Sequence, residues 1–164
     1  MFNHGYGDEK DFLNLAGEYR VCAELLKRML FARITYGNKK GVDIFAIGSE
    51  RRVAVIEVKA SNSNRFVTSL FQKYPDPTAT RPDFWVLCSF RKTSEGVYEE
   101  RFFILTHEEL AIAQAKRNGR GKKLSYKEAA TLAAKGVDNV RIEDVEGHEG
   151  KWEKIITFCK PSVE

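Results

Sequence analysis

The chain has 164 residues, a mass of 18.7 kDa and a formal net charge of +4, the size of one domain around one hydrophobic core. Hydrophobic residues make up 43% and charged residues 30% of it, which excludes an intrinsically disordered or fibrous chain. No apolar run approaches the roughly 20 residues that cross a bilayer, no secretory signal is visible, and three scattered cysteines do not make a disulfide framework. We expect one cytoplasmic domain over residues 1–164, without a membrane partner.

The first third of the chain is predicted to form one helix and three strands. Apolar residues recur at helical spacing from Asp8 to Phe31, and Asp8 is a candidate N-cap. Three short segments rich in β-branched and aromatic side chains follow, separated by turn residues. They predict an antiparallel meander with strands at 32–36, 42–48 and 51–59.

Helices and strands alternate in the rest of the chain, and the overall order predicts an α/β fold with a mixed sheet. We expect a core of about residues 8–106 and a C-terminal α/β extension of about residues 107–164. The predicted elements are a short helix within 61–74, strands at 83–90 and 101–106, helices at 107–117 and 125–135, and a helix or strand at 152–159.

The second and third predicted strands pair in a register that separates an apolar face from a charged one. When Ile44 faces Ile56, one face of the hairpin carries only pairs of valine, isoleucine and alanine. On the other face Asp43 lies opposite Glu57, and Lys59 follows one pleat further along. Two carboxylates and one ammonium are therefore predicted to share one side of the sheet.

This charged face has the composition of a metal-assisted hydrolysis site. Directly opposed carboxylates repel, so the pairing of Asp43 with Glu57 costs stability unless a positive charge lies between them. Mg²⁺ is bound in proteins by one or two carboxylates together with waters and phosphate oxygens. Lys59 can orient or deprotonate the attacking water. Glu18, near the packed face of the first helix with no cation at i+3 or i+4, is the fourth candidate.

These residues resemble the active site of the PD-(D/E)XK nuclease superfamily, which has a restriction-endonuclease-like fold. Its members have an α-β-β-β-α-β core with an acidic residue on the first helix, an aspartate at the second strand and Glu-x-Lys on the third. The matching residues are Glu18, Asp43, Glu57 and Lys59. Val42 stands where the signature has proline, and the chain beyond Phe90 resembles nothing specific.

The resemblance implies a Mg²⁺- or Mn²⁺-dependent endonuclease. By it, Asp43, Glu57 and the carbonyl of Val58 bind the metal, while Glu18 contributes directly or through water. Lys59 positions the nucleophile. The implied substrate is nucleic acid, and DNA is the favoured one, although phosphate contacts do not distinguish DNA from RNA. Cutting both strands of a duplex calls for two sites related by a two-fold axis, which suggests a homodimer.

Two other interpretations fit the same residues. Glu57 and Lys59 can be an ion pair at the sheet edge, with Asp43 merely starting a strand, because structural ion pairs also imitate functional sites. The chain can also be a non-catalytic nucleic-acid-binding or assembly module on the same fold. Basic residues outside the motif can contact phosphates or lie in solvated loops. They are Lys39 and Lys40 before the second strand, and Arg120, Lys122 and Lys123 between two helices.

Overall fold

The structure is a computed structural model that describes residues 9–35, 42–136 and 138–160. Its helices are α1 (Glu9–Lys27), α2 (Leu70–Lys73), α3 (His107–Asn118), α4 (Tyr126–Ala133), α5 (Ile142–Val145) and α6 (Glu153–Cys159). Its strands are β1 (Phe31–Ile34), β2 (Ile44–Ile47), β3 (Val53–Ser61), β4 (Arg65–Val67), β5 (Phe84–Lys92), β6 (Tyr98–Thr106) and β7 (Asn139–Arg141).

A five-stranded mixed sheet organises the fold, with the strand order β1-β2-β3-β5-β6. The first three strands form an antiparallel meander, β5 runs parallel to β3, and β6 returns antiparallel to β5. A second, two-stranded sheet pairs β4 with β7. The predicted α/β class with a mixed sheet is confirmed, and the order α-β-β-β-α-β is present with β4 added before α2.

The hairpin of β2 and β3 has the predicted register. Ile44 lies opposite Ile56 and Ala46 opposite Ala54, and all four side chains are buried. The turn closes with Arg51 in the left-handed region at φ 59°. Matching apolar pairs fix this register because a slip of one residue would turn every buried side chain to the other face.

The sheet is covered on both sides, and residues of the C-terminal extension belong to both layers. On one side α1 and α6 pack on the even-numbered residues of β3 and β5. On the other side α2, α3 and α4 cover the odd-numbered residues of β5 and β6. The two cores are exemplified by Val21, Ile56, Val86 and Ile155 on the first side and by Phe71, Trp85, Phe103 and Leu110 on the second. The extension is therefore part of the framework that surrounds the sheet.

Two predicted elements differ from the structure. The first helix ends at Lys27 instead of Phe31, because Met29 takes a positive φ of 61° and Phe31 already pairs in β1. The short helix predicted within 61–74 is present, but it covers only Leu70–Lys73, because residues 65–67 form β4 by pairing with β7 far along the chain. The segment 152–159, left open between helix and strand, contains α6. Within the described residues, no helix is long and apolar enough to cross a membrane.

Candidate active site

The candidate site lies where β2 separates from β3. Their paired residues end at Ile44 and Ile56, and the Asp43 N–H donates to the Ile56 carbonyl at 3.0 Å. The Asp43 carboxylate then accepts the next N–H of β3, that of Val58, at 2.6 Å from Oδ2. The expected direct strand pair of Asp43 with Glu57 is therefore not formed, because the Asp43 side chain replaces the next backbone bond of the ladder.

Helix α1 brings Glu18 to the same place because it crosses β3 at very short range. A Cβ on Gly17 would lie 3.1 Å from the Cβ of Ala60 and 3.4 Å from Cγ1 of Val58, tighter than most side-chain contacts. Only glycine lets the two backbones approach this closely without displacement. The carboxylate of Glu18 is half-buried beside this contact.

The acidic groups of the site perturb one another. Burial, reinforced by the nearby charge of Asp43 and opposed by Lys59, raises the pKa of Glu18 to about 7. Burial also raises the pKa of Asp43, against the lowering effects of the Val58 N–H and of Lys59. The charge of Glu57 raises the pKa of Asp43 further. Glu18, Asp43, Glu57 and Lys59 therefore form one electrostatic cluster.

Glu57 is fully buried, and both of its carboxylate oxygens are engaged. Oε1 accepts from the Nζ of Lys73 and forms an ion pair with Lys59 Nζ at 2.9 Å. Oε2 accepts from the Tyr74 hydroxyl at 3.3 Å. Two ammonium groups thus compensate one buried carboxylate.

Sequence reasoning missed Lys73 and Tyr74. They lie at and just after the end of α2, in a stretch whose spacing gives no sign of proximity to β3. A buried glutamate needs a positively charged partner. The sequence does not indicate which residue is the partner of Glu57.

Asp138, from the C-terminal extension, holds α2 in place. Its carboxylate is 3% exposed and accepts the backbone N–H groups of Phe71 at 3.3 Å and Gln72 at 2.8 Å. The Gln114 side-chain amide also donates to it, while the Thr68 hydroxyl donates to Gln114 Oε1 at 2.6 Å. It therefore caps the first turn of α2 from outside the helix, the role that an N-cap side chain plays from within.

A groove of about 650 Å³ opens beside Lys59 and Lys73, between α1, the end of β3, β4 and α2. Its lining contains amide and hydroxyl side chains such as Asn14, Asn62 and Ser63. It also contains four basic side chains and one acidic side chain, so its charge is positive. These are Lys10, Lys59, Arg65, Lys73 and Glu9.

The donor atoms of the site fit a hard divalent cation, since carboxylate oxygens are the ligands that Mg²⁺ prefers. The two ammonium groups at Glu57 also mark a place where the protein accommodates positive charge. Within residues 9–35, 42–136 and 138–160, no three histidine, cysteine, aspartate or glutamate side chains are placed to hold a metal ion together.

The other predicted phosphate-binding residues lie elsewhere. Arg120, Lys122 and Lys123 are exposed in the loop between α3 and α4, and they border cavities other than the groove at Lys59. Lys39 and Lys40 lie outside the described residues. The charged groove beside Lys59 and Lys73 is thus a candidate nucleic-acid surface that the sequence did not indicate.

Comparisons with known proteins find little that is similar to the chain. No family model matches it, and no curated protein matches it. Among solved structures it is similar to a bacterial homing endonuclease, I-Ssp6803I, with 11% sequence identity and a TM-score of 0.43. The match covers 62% of this chain and 68% of that one.

Replacing Glu18 with glutamine is expected to change how stability depends on pH. The folded carboxyl group has a pKa of about 7 against an ordinary 4.5, so wild type loses stability as pH rises through this window. Glu18→Gln lacks that loss. Relative to wild type, its free energy of unfolding should rise by about 1 kcal/mol between pH 5 and pH 8, a value discounted for the partial exposure of the group.

Urea unfolding of both proteins at pH 5 and pH 8 without divalent ions measures this difference. Glu95→Gln, an exposed position in the turn between β5 and β6, is the matched control and should show no such change. Equal pH dependence of Glu18→Gln and wild type would contradict the raised pKa that burial gives to Glu18.

Proposed function

We propose that the chain is a metal-dependent nuclease that hydrolyses phosphodiester bonds, with DNA as its preferred substrate. The observation that carries this proposal is the convergence of Glu18, Asp43, Glu57 and Lys59 where β2 leaves β3. Three carboxylates in one partly buried place cost free energy unless a cation compensates them. Such a destabilising cluster of charges is typical of a functional site, where the bound cation takes part in the reaction.

The proposed roles follow from the positions of the side chains. Asp43, Glu57, the Val58 carbonyl and, directly or through water, Glu18 would hold Mg²⁺ or Mn²⁺. The ion, when bound, polarises a phosphoryl oxygen and activates water. Lys59 lies on the same face of β3 as Glu57 and borders the groove, so its ammonium can position the attacking water and the phosphate together. Asp43 is fixed by the Val58 N–H, which orients its carboxylate in advance.

The groove supports a polyanionic substrate. Its basic side chains are spread over α1, β3, β4 and α2 instead of one flexible loop, so they present a surface of fixed shape. Phosphate contacts of this kind supply much of the affinity of nucleic-acid-binding proteins. For a duplex substrate, two copies of the chain related by a two-fold axis are the simplest arrangement that cuts both strands.

A non-catalytic nucleic-acid-binding module is the second candidate, and one observation favours it. Glu57 has two ammonium partners and a hydroxyl donor, so its charge is compensated by protein groups alone. On this hypothesis the groove binds nucleic acid, and the carboxylates have only a structural role. A binding module should show nucleic-acid affinity without turnover.

The deciding experiment compares wild type with Lys59→Ala. Each is incubated with linear duplex, single-stranded and branched DNA and with RNA, in Mg²⁺, Mn²⁺ or EDTA. We expect wild type to cut DNA only with a divalent ion. The variant should lose about 100-fold or more of the rate, the usual size of an acid–base or positioning contribution.

Lys127→Ala removes the same charge from an exposed position on α4 and should cut like wild type. Circular dichroism and urea unfolding establish that Lys59→Ala is folded, because Lys59 also partners a buried carboxylate. Binding of DNA by wild type without cutting in any metal would reject the nuclease and favour the binding module.

A further inference from the structure

We infer that Lys73 occupies, in the resting site, the place beside Glu57 that a divalent cation takes in the active one. Metal binding and release of Lys73 are then one coupled exchange. This inference rests on the proposed function and adds a residue and a regulation to it. Lys73 is not part of the motif that the sequence analysis identified.

The hydrogen bonds and ion pairs of Glu57 support the inference. A carboxylate offers about four lone-pair sites, and Glu57 already accepts hydrogen bonds from Lys73 and the Tyr74 hydroxyl and forms an ion pair with Lys59. The two ammonium groups lie at the same oxygen, Oε1. A divalent ion that approached Glu57 would meet both an occupied oxygen and the repulsion of two ammonium groups.

Lys73 is the donor that is free to leave. Lys59 is fixed by β3, two residues from Glu57 on the same face of the strand, and has a side-chain exposure of 21%. The hydroxyl of Tyr74 is neutral and does not compete for positive charge. Lys73 stands at the end of the four-residue helix α2, its side chain is 31% exposed, and it borders the groove.

The groove gives the released ammonium a second partner. Lys59, Arg65 and Lys73 share its lining, so a phosphate bound there would attract the Lys73 ammonium away from Glu57. Nucleic acid and metal should then bind with positive cooperativity, because each removes the obstacle to the other. The site would bind metal weakly while Lys73 pairs with Glu57, and more tightly once a substrate phosphate has drawn Lys73 away.

The first test measures Mg²⁺ binding to the full chain by isothermal titration calorimetry. Lys73→Met should bind Mg²⁺ about tenfold more tightly than wild type, because the competing charge is gone while the methylene packing remains. Lys73→Arg, which keeps the cation, should stay close to wild type. Lys127→Met, which removes the same charge from an exposed position on α4, should leave the Mg²⁺ affinity unchanged.

The direction of the change separates the exchange from a merely structural role. If Lys73 only stabilised the site, its removal would loosen Glu57 and weaken Mg²⁺ binding. Wild-type binding with equal or weaker affinity in Lys73→Met would overturn the exchange and leave the proposed nuclease intact. Absence of Mg²⁺ binding in wild type and in Lys73→Met would reject both.

A second measurement needs only the wild-type protein. Acetylation of lysines by an N-hydroxysuccinimide ester, followed by mass spectrometry, reports how accessible each amine is. Saturating Mg²⁺ should raise the acetylation rate of Lys73 several-fold, and that of Lys127 should stay constant. An unchanged rate at Lys73 with Mg²⁺ bound would overturn the exchange even if the variants do not fold.

Discussion

Asp43→Asn is expected to reduce kcat/KM for phosphodiester cleavage by about 10³-fold, which corresponds to about 4 kcal/mol of transition-state stabilisation. Asparagine keeps an oxygen that can accept the Val58 N–H, so the local backbone should be preserved. It removes the negative charge that the proposed metal requires. It also removes the repulsion of Asp43 with Glu18 and Glu57, so the free energy of unfolding at pH 8 should not fall.

Loss of activity at unchanged or increased stability distinguishes a catalytic carboxylate from a structural one. Asp83→Asn is a closely matched control, because Asp83 Oδ2 accepts a backbone N–H of the same strand, that of Val55, at 2.8 Å. That variant should cleave at the wild-type rate. Steady-state cleavage assays and urea unfolding on the same preparations provide both quantities. A rate for Asp43→Asn within tenfold of wild type would remove Asp43 from the proposed metal site.

The part of the site that the sequence predicts is the part set by one hairpin. The apolar pairs of β2 and β3 specify a register in which Asp43, Glu57 and Lys59 come together, because side chains alternate between faces along a strand. The alternation of side chains does not predict where the pairing of β2 with β3 ends, at the point where Asp43 accepts the Val58 N–H. The last hydrogen bond between two strands depends on the conformation of the loop that precedes the strand. The alternation of side chains along the strand does not determine that conformation.

The surroundings of Glu57 could not be predicted because they depend on contacts between distant parts of the chain. Residues 65–67 become a strand only by pairing with residues 139–141, and three residues are too few for a recognisable pattern. Lys73 lies at the end of α2, and Asp138 holds the first turn of that helix from far along the chain. The sequence therefore predicts which residues share the charged face of the hairpin. The tertiary structure adds Lys73 and Tyr74, which pair with Glu57.

Asp138→Ala is expected to lower the free energy of unfolding by about 3 kcal/mol, the range observed when one partner of a buried charged network is removed. Asp138 is 3% exposed, and its carboxylate accepts from three donors in two parts of the chain. Alanine would leave two backbone N–H groups at the start of α2 and the side-chain amide of Gln114 without that acceptor. Such buried donors cost far more than the single bond that each makes.

Urea unfolding measures the global loss, and hydrogen exchange locates it. Exchange of the Gln72 amide should accelerate more than exchange in β5, because the Phe71 and Gln72 N–H groups of α2 lose their acceptor while the central sheet keeps its pairs. Asp144→Ala is the matched control, since Asp144 bonds a partly exposed Arg117, and its loss should cost about 1 kcal/mol or less. Equal losses in the two variants would show that Asp138 is an ordinary polar contact, and that the C-terminal extension does not set the position of Lys73.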